Sequence, residues 1–183
     1  MTTQTKRLAL AAAVLLATIG TVRISRAADE NLVPDARQTI ATYRRIDPGL
    51  DGFFRRSAAY VVFPGIGKGG YLVGGAHGTG VLFENGAPTG KVTLNQVTVG
   101  PQIGGQEFSQ IMFLETPHIV ADFKAGKVKL SAQASAVALD QGAAAVANYR
   151  NGVAVFTHMK GGLMAEASVG GQKFSFEPFG AAR

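Results

Sequence analysis

Residues 63–75 read FPGIGKGGYLVGG and follow the apolar run Ala58–Val62. Gly65, Gly67 and Gly70 fit G-x-G-x-x-G, and Gly67-Lys68 has the look of a phosphate-binding loop. A nucleotide fingerprint places its glycines between a strand and a helix, so that the phosphates meet the helix N-terminus. Here Tyr71–Gly80 follows, with four more glycines in a strand-like pattern. Each glycine inside a helix costs up to about 1 kcal/mol relative to alanine, so no helix starts there. The Walker form fails too: Val62 stands where its first glycine belongs, and Gly69 replaces the Ser/Thr that holds magnesium. The stretch therefore excludes a nucleotide site. It predicts curved strands that approach one another where a Cβ would clash.

Upstream, the chain carries an export signature. Lys6 and Arg7 precede the apolar Leu8–Val22, and Ser25-Arg26-Ala27 places small residues at −3 and −1 of a cleavage site. The apolar run is shorter than the roughly 20 residues of a spanning helix. Residues 1–27 are expected to be a signal peptide cut after Ala27, with an uncleaved anchor as the alternative that Arg23 and Arg26 keep open. The mature chain 28–183 then holds fourteen basic and twelve acidic residues, a charge of +2 rather than the +6 of the whole sequence. So small an excess gives no argument for nucleic acid. Cysteine is absent, which excludes disulfides and a lipid-attachment cysteine. A periplasmic or secreted single domain of 156 residues is expected, large enough to bury a core without staples.

Along the mature chain, Leu32–Ile46 has helical spacing behind Asn31 as N-cap, and Asp47-Pro48-Gly49 breaks it. Leu50–Ser57 reads as a second short helix leading into the strand Ala58–Phe63. Tyr71–Gly75, Gly80–Glu84, Lys91–Leu94, Gln96–Ile103 and Ser109–Glu115 read as strands, with a turn at Asn85-Gly86-Ala87-Pro88. Thr116-Pro117 caps the helix His118–Ala125, which Gly126 closes. Lys127–Ala136 shows the clearest alternation; Val146–Arg150, Val153–Met159, Leu163–Ser168 and Lys173–Glu177 follow. The expected fold is α+β: N-terminal helices, then a glycine-rich, mainly antiparallel sheet curled into a sandwich or partial barrel. GGQEFS (Gly104–Ser109) and GGQKFS (Gly170–Ser175) repeat one local device in which the phenylalanine packs inward.

Catalytic chemistry finds no foothold. His77, His118 and His158 are far apart and lack metal-ligand spacing, and no serine lies in G-x-S-x-G. The chemical asymmetry is basic instead. Arg37, Arg44 and Arg45 sit at i, i+7 and i+8 on one side of the first helix. Arg55 and Arg56 follow beside Phe53 and Phe54, and Lys68 comes after the strand; Asp47 and Asp51 are the nearby carboxylates. A basic amphipathic segment of this kind suits an anionic bilayer, about 1 kcal/mol per cation near the surface. The bland counterpart is a solvated face on a core-packed helix.

Three segments carry a family likeness: SAAYVVFPGIGKGGYLVGGAHGTGVLF, VTVGPQIGGQEFSQIMFL and GVAVFTHMKGGLMAEASVGGQKF. In their order they resemble the SYLF-domain family over roughly Arg37–Phe176. The resemblance implies a lipid-binding domain without catalysis or cofactor. Such domains occur alone in exported bacterial proteins and beside SH3 or FYVE modules in eukaryotes, where phosphoinositides and actin are the partners. It also implies membrane contact through the basic N-terminal segment, corresponding here to Arg37, Arg44, Arg45, Arg55, Arg56 and Lys68. Only Lys68 lies in a matched motif. Many members carry a tryptophan after the G-x-G-V-L hairpin; this chain has Val92–Leu94 there and no tryptophan. With export, the expected ligand becomes an anionic phospholipid or other envelope lipid at a membrane surface. The alternative is a structural or protein-interaction module of the envelope.

Overall fold

The structure, a computed structural model, describes residues 31–131, 136–166 and 169–180. The expected signal peptide lies outside the described residues. The described residues open in helix α1 (31–46), whose Leu32, Ala36 and Tyr43 are buried, and Asn31 is already helical rather than its cap. The Asp47-Pro48-Gly49 break becomes a 3-10 turn, Pro48–Leu50, and then α2, Asp51–Arg56. Asp47 is 4% exposed and both its carboxylate oxygens accept backbone N–H groups. Gly49 N donates to Oδ1 at 2.9 Å and Ala144 N to Oδ2 at 2.7 Å.

Four long strands then run as two hairpins: β1 Ala59–Gly70, β2 Val73–Glu84, β3 Ala87–Val99 and β4 Gln102–Leu114. These replace the six shorter strand pieces that the sequence suggests between Ala58 and Glu115. The stretch FPGIGKGG is thus strand, not loop. Proline inside a central strand is confined to bulges, and Pro64 sits where the register shifts against both neighbours, between Val62 and Gly65 on one side and Phe63 and Ile66 on the other. The Asn85-Gly86 turn is as expected, with φ of 51° and 76°, the two left-handed positions of a tight hairpin.

Helix α3, Pro117–Lys124, has Thr116 Oγ1 accepting from Ile119 N at 3.3 Å, and Gly126 follows at φ 70°. Of the alternating segment 127–136, residues 127–129 are irregular, Leu130–Ser131 form β5 and Ala136 begins β6, Ala136–Ala138, while residues 132–135 lie outside the described residues. Residues 146–150, expected as a strand, form the end of α4 (Ala143–Val146) and an irregular stretch. The final strands are β7, Val153–Glu166, and β8, Val169–Pro178.

Among the described residues the strands form one sheet, ordered β5-β8-β3-β2-β1-β4-β7-β6, antiparallel except for β6 beside β7. Two consequences exclude a sandwich and establish a curl. Seven interstrand steps would separate the edges of a flat sheet by about 34 Å. Yet only four residues, five Cα–Cα steps, join Ser131 on one edge to Ala136 on the other, a span of at most about 18 Å. Likewise, Phe63 and Phe174 stand on strands three steps apart, but their rings are 6.2 Å apart inside the curve.

The sheet has a core on each face. On the concave side Val61, Phe63, Ile66, Leu82, Leu94, Met112 and Phe174 pack with Val120 and Phe123 of α3. Phe108 and Phe174, from the two GGQ-x-FS repeats, both turn to this side, as the inward-packing reading expects. On the convex side Val62, Val81, Phe83, Ile111, Phe113 and Phe156 pack beneath α1, α2 and α4. Those helices cover only the half of the sheet nearest the Asn85-Gly86 turn. Among the described residues nothing covers the other half on that side, where β1–β2 and β3–β4 turn at Tyr71-Leu72 and Gly100-Pro101.

Candidate functional site

Of the six cations singled out in the sequence, five lie on α1 and α2, and two of these, Arg44 and Arg55, line one cleft. Arg37, Arg44 and Arg45 are exposed on α1, and Arg55 and Arg56 are exposed in the last turn of α2. Aromatic rings of the underlying core hold three of them. The guanidinium of Arg44 lies 4.4 Å from the centre of the Phe54 ring, that of Arg37 5.7 Å from Phe83, and that of Arg56 5.8 Å from Phe53. Such contacts contribute about 0.5–1 kcal/mol each at exposed sites and fix the planes of the charged groups. Arg44 Nε also meets Asp51 Oδ1 at 3.0 Å, with both side chains half exposed. An exposed pair of this kind adds at most about 1 kcal/mol and leaves Arg44 open to exchange for a better anion.

Between Arg44 and Arg55 lies a cleft of about 240 Å³, floored by Phe54 and Tyr60 and closed by Asn85 and Gly86. Burial pushes the Tyr60 phenol pKa up, and the positive charges of Arg44 and Arg37 oppose that shift. The cleft combines guanidinium donors with a neutral aromatic floor, which suits a phosphate-sized anion.

Asp47 does not neutralise the arginines, because both its oxygens face backbone amides; Asp51 alone of the two expected carboxylates does so. Phe53 and Phe54 belong to the core, packed against Phe113 at 5.4 and 4.9 Å. Lys68 stands apart. It is eight residues along β1 from Tyr60, about 26 Å, and shares the concave side with Ile66, opposite the helices. A second cleft, of about 400 Å³, lies between α1 and the sheet beside Asp35, Thr39, Pro64 and His158, with the Lys160–Glu107 pair (2.7 Å) at its rim. Among the described residues no three of His, Cys, Asp or Glu converge as metal ligands.

The bare end of the sheet is the feature that sequence reasoning missed. Within the expected strand Gln96–Ile103, Val97, Val99 and Ile103 share one side, and that side faces outward. Gln96 and Thr98 are buried, Thr98 completely, while Val97 and Val99 are 65% and 58% exposed. Gln172 Nε2 donates to Gln96 Oε1 at 3.2 Å, satisfying part of that polar interior. A period-2 pattern cannot say which side is the core; the absence of any charge in residues 92–106 was the available signal.

Residues 95–178 match the family model described as Ysc84, Las17-binding protein actin regulator. No curated protein matches the chain.

Proposed function

We propose that this chain, whose residues 95–178 match the Ysc84 family model, is an exported, non-enzymatic lipid-binding protein of the SYLF-domain family. It contacts anionic headgroups at an envelope membrane surface. The observation that supports this reading is the cleft beside Tyr60, lined by Arg44 and Arg55, with the charge of Arg37 acting on the same phenol. The rigid sheet and its ring contacts hold the guanidinium groups in place before binding, which lowers the ordering cost of association. Phosphatidylglycerol, cardiolipin or lipopolysaccharide supplies phosphates of the right charge and size.

Co-sedimentation of residues 28–183, which contain every described element, with phosphatidylglycerol and phosphatidylcholine vesicles tests the proposal. Binding to the anionic vesicles alone, weakened as salt rises, is expected. Replacing Arg44, Arg45, Arg55 and Arg56 by Ser should lower affinity at least about a hundredfold, at up to about 1 kcal/mol per cation. Absence of binding to either vesicle, with a stable oligomer in solution, would replace this reading by that of a protein-interaction module.

A further inference from the structure

The uncovered end of the sheet combines five properties. Tyr71 and Leu72 at the β1–β2 turn are 67% and 59% exposed, and Val73, Val97, Val99 and Ile103 beside them are exposed as well. The register makes this one patch: Val73 pairs with Val99, Gly75 with Val97, and Gly70 with Gly104, next to Ile103. Between these side chains the same face is floored by Gly67, Gly69, Gly75 and Gly105. A Cβ at Gly67 would meet nothing within 4 Å, and at Gly69 and Gly105 nothing closer than 3.5 Å. Those three glycines are therefore not imposed by packing, unlike Gly80, where a Cβ would come within 2.5 Å of the Val62 carbonyl oxygen.

Much of the backbone of the patch is paired. Gly100 N donates to Leu72 O at 3.0 Å, locking the two turns together, and the strands behind are fully laddered. Residues 69–76 and 92–106 contain no Asp, Glu, Lys or Arg. Lys68 and Lys173 stand behind the patch, with Glu166 at the end of β7 opposite Gln102 and the Glu107–Lys160 pair further back. Finally, the patch shares the convex side of the sheet with the arginine-bearing helices.

From this we infer that the β1–β2 and β3–β4 turns form a wedge that enters the apolar boundary of a lipid bilayer. The occupant is a membrane rather than a second protein because the apolar residues ride on turns whose flanking residues 69–76 and 92–106 carry no charge. Paired backbone groups can enter hydrocarbon without the cost of unsatisfied donors, and Tyr71 is of the type that settles at the interface. The wedge rests on the lipid reading above and extends it: tilted toward its convex side, the domain sets arginines on headgroups and turns between them.

The chain has no cysteine, so Leu72→Cys and, as a control on the opposite face of the sheet, Ala121→Cys can each carry one polarity-sensitive fluorophore on residues 28–183. On phosphatidylglycerol vesicles the Leu72→Cys label should shift to the blue and be quenched by acyl-chain nitroxide lipids, while the Ala121→Cys label stays aqueous. An aqueous Leu72→Cys label on vesicle-bound protein would overturn the wedge and leave the lipid reading standing. Burial of that label without vesicles, rising with protein concentration, would overturn it in favour of a contact between copies. No co-sedimentation at all would remove the lipid reading and the wedge with it. Unlabelled Tyr71→Ser/Leu72→Ser/Val99→Thr should lose vesicle affinity at least about tenfold with unchanged thermal stability, since these side chains already face water; unchanged affinity would overturn the wedge.

Discussion

Tyr43 Oη donates to the carbonyl oxygen of Ser109 at 2.8 Å, joining α1 to β4 across 66 residues of chain. The same hydroxyl lies 3.2 Å from Ser109 Oγ and 3.4 Å from Phe156 O, so one phenol docks the arginine-bearing helix on the sheet. Tyr43→Phe should cost about 1–2 kcal/mol, because a buried carbonyl loses its donor. Burial also raises the Tyr43 pKa well above the ordinary tyrosine value. A raised folded-state pKa gives stability that is complete below the unfolded value, near pH 10, and lost as pH climbs beyond it. Alkaline denaturation should begin above about pH 10, and Tyr43→Phe should flatten that pH dependence. Chemical denaturation at pH 7 and pH 11 measures both.

The glycines divide by the space around them. A Cβ at Gly80 would lie 2.5 Å from Val62 O and 2.7 Å from Phe63 Cδ1, whereas at Gly67 it would meet open space. Gly80→Ala should destabilise by about 2 kcal/mol or more. Gly67→Ala should stay within about 0.5 kcal/mol of the parent, since alanine suits a strand interior at least as well. Equal losses at the two positions in urea titrations would contradict the division.

Asp47 ties the first two helices to α4 through Gly49 N and Ala144 N. Asp47→Ala strands both amides beside a buried gap, and a loss of about 2–4 kcal/mol is expected. The vesicle affinity of whatever fraction remains folded should be unchanged, because Asp47 does not touch the arginines. Thermal melts and co-sedimentation of the soluble fraction separate the two effects.

Asp51 has the opposite profile. It holds Arg44 at 3.0 Å from a half-exposed position. Asp51→Asn should alter stability by less than about 1 kcal/mol. It should also raise affinity for anionic vesicles about fivefold at low salt, by removing one negative charge from the basic surface. A titration showing no gain would place the headgroup contact away from Arg44.

Much of the fold was legible because its signals were local. Thr116-Pro117 and Gly126 bracketed α3 through capping and a left-handed φ, and Asn85-Gly86 announced its hairpin. Strand lengths were not legible. Glycine weakens any local strand signal, and only pairing among Gly69, Gly75 and Gly105 across three strands extends β1 past Pro64. The alternation of 127–136 misled because two- and three-residue edge strands at opposite ends of the sheet share it. Of the site, helical spacing grouped Arg37, Arg44 and Arg45, but the position of Lys68 on the other side of the sheet depends on strand direction. The outward-facing valines depended on which face of β3 is covered, which one strand cannot encode.

The half-covered sheet has a kinetic corollary. Near Val81 and Phe113 the strands are clamped between two apolar layers, whereas around Gln96, Thr98 and Gly105 they have a polar interior and no outer layer. Local opening is cheapest where few apolar contacts would be lost. Backbone amides of Val97–Val99 and Gly104–Gly105 should therefore exchange with deuterium long before those of Val81 and Leu82. A bilayer against Val73, Val97 and Val99 would act as the layer that the described residues do not supply, and exchange there should slow on anionic vesicles. The domain would then complete its folding energetics only at the surface it binds.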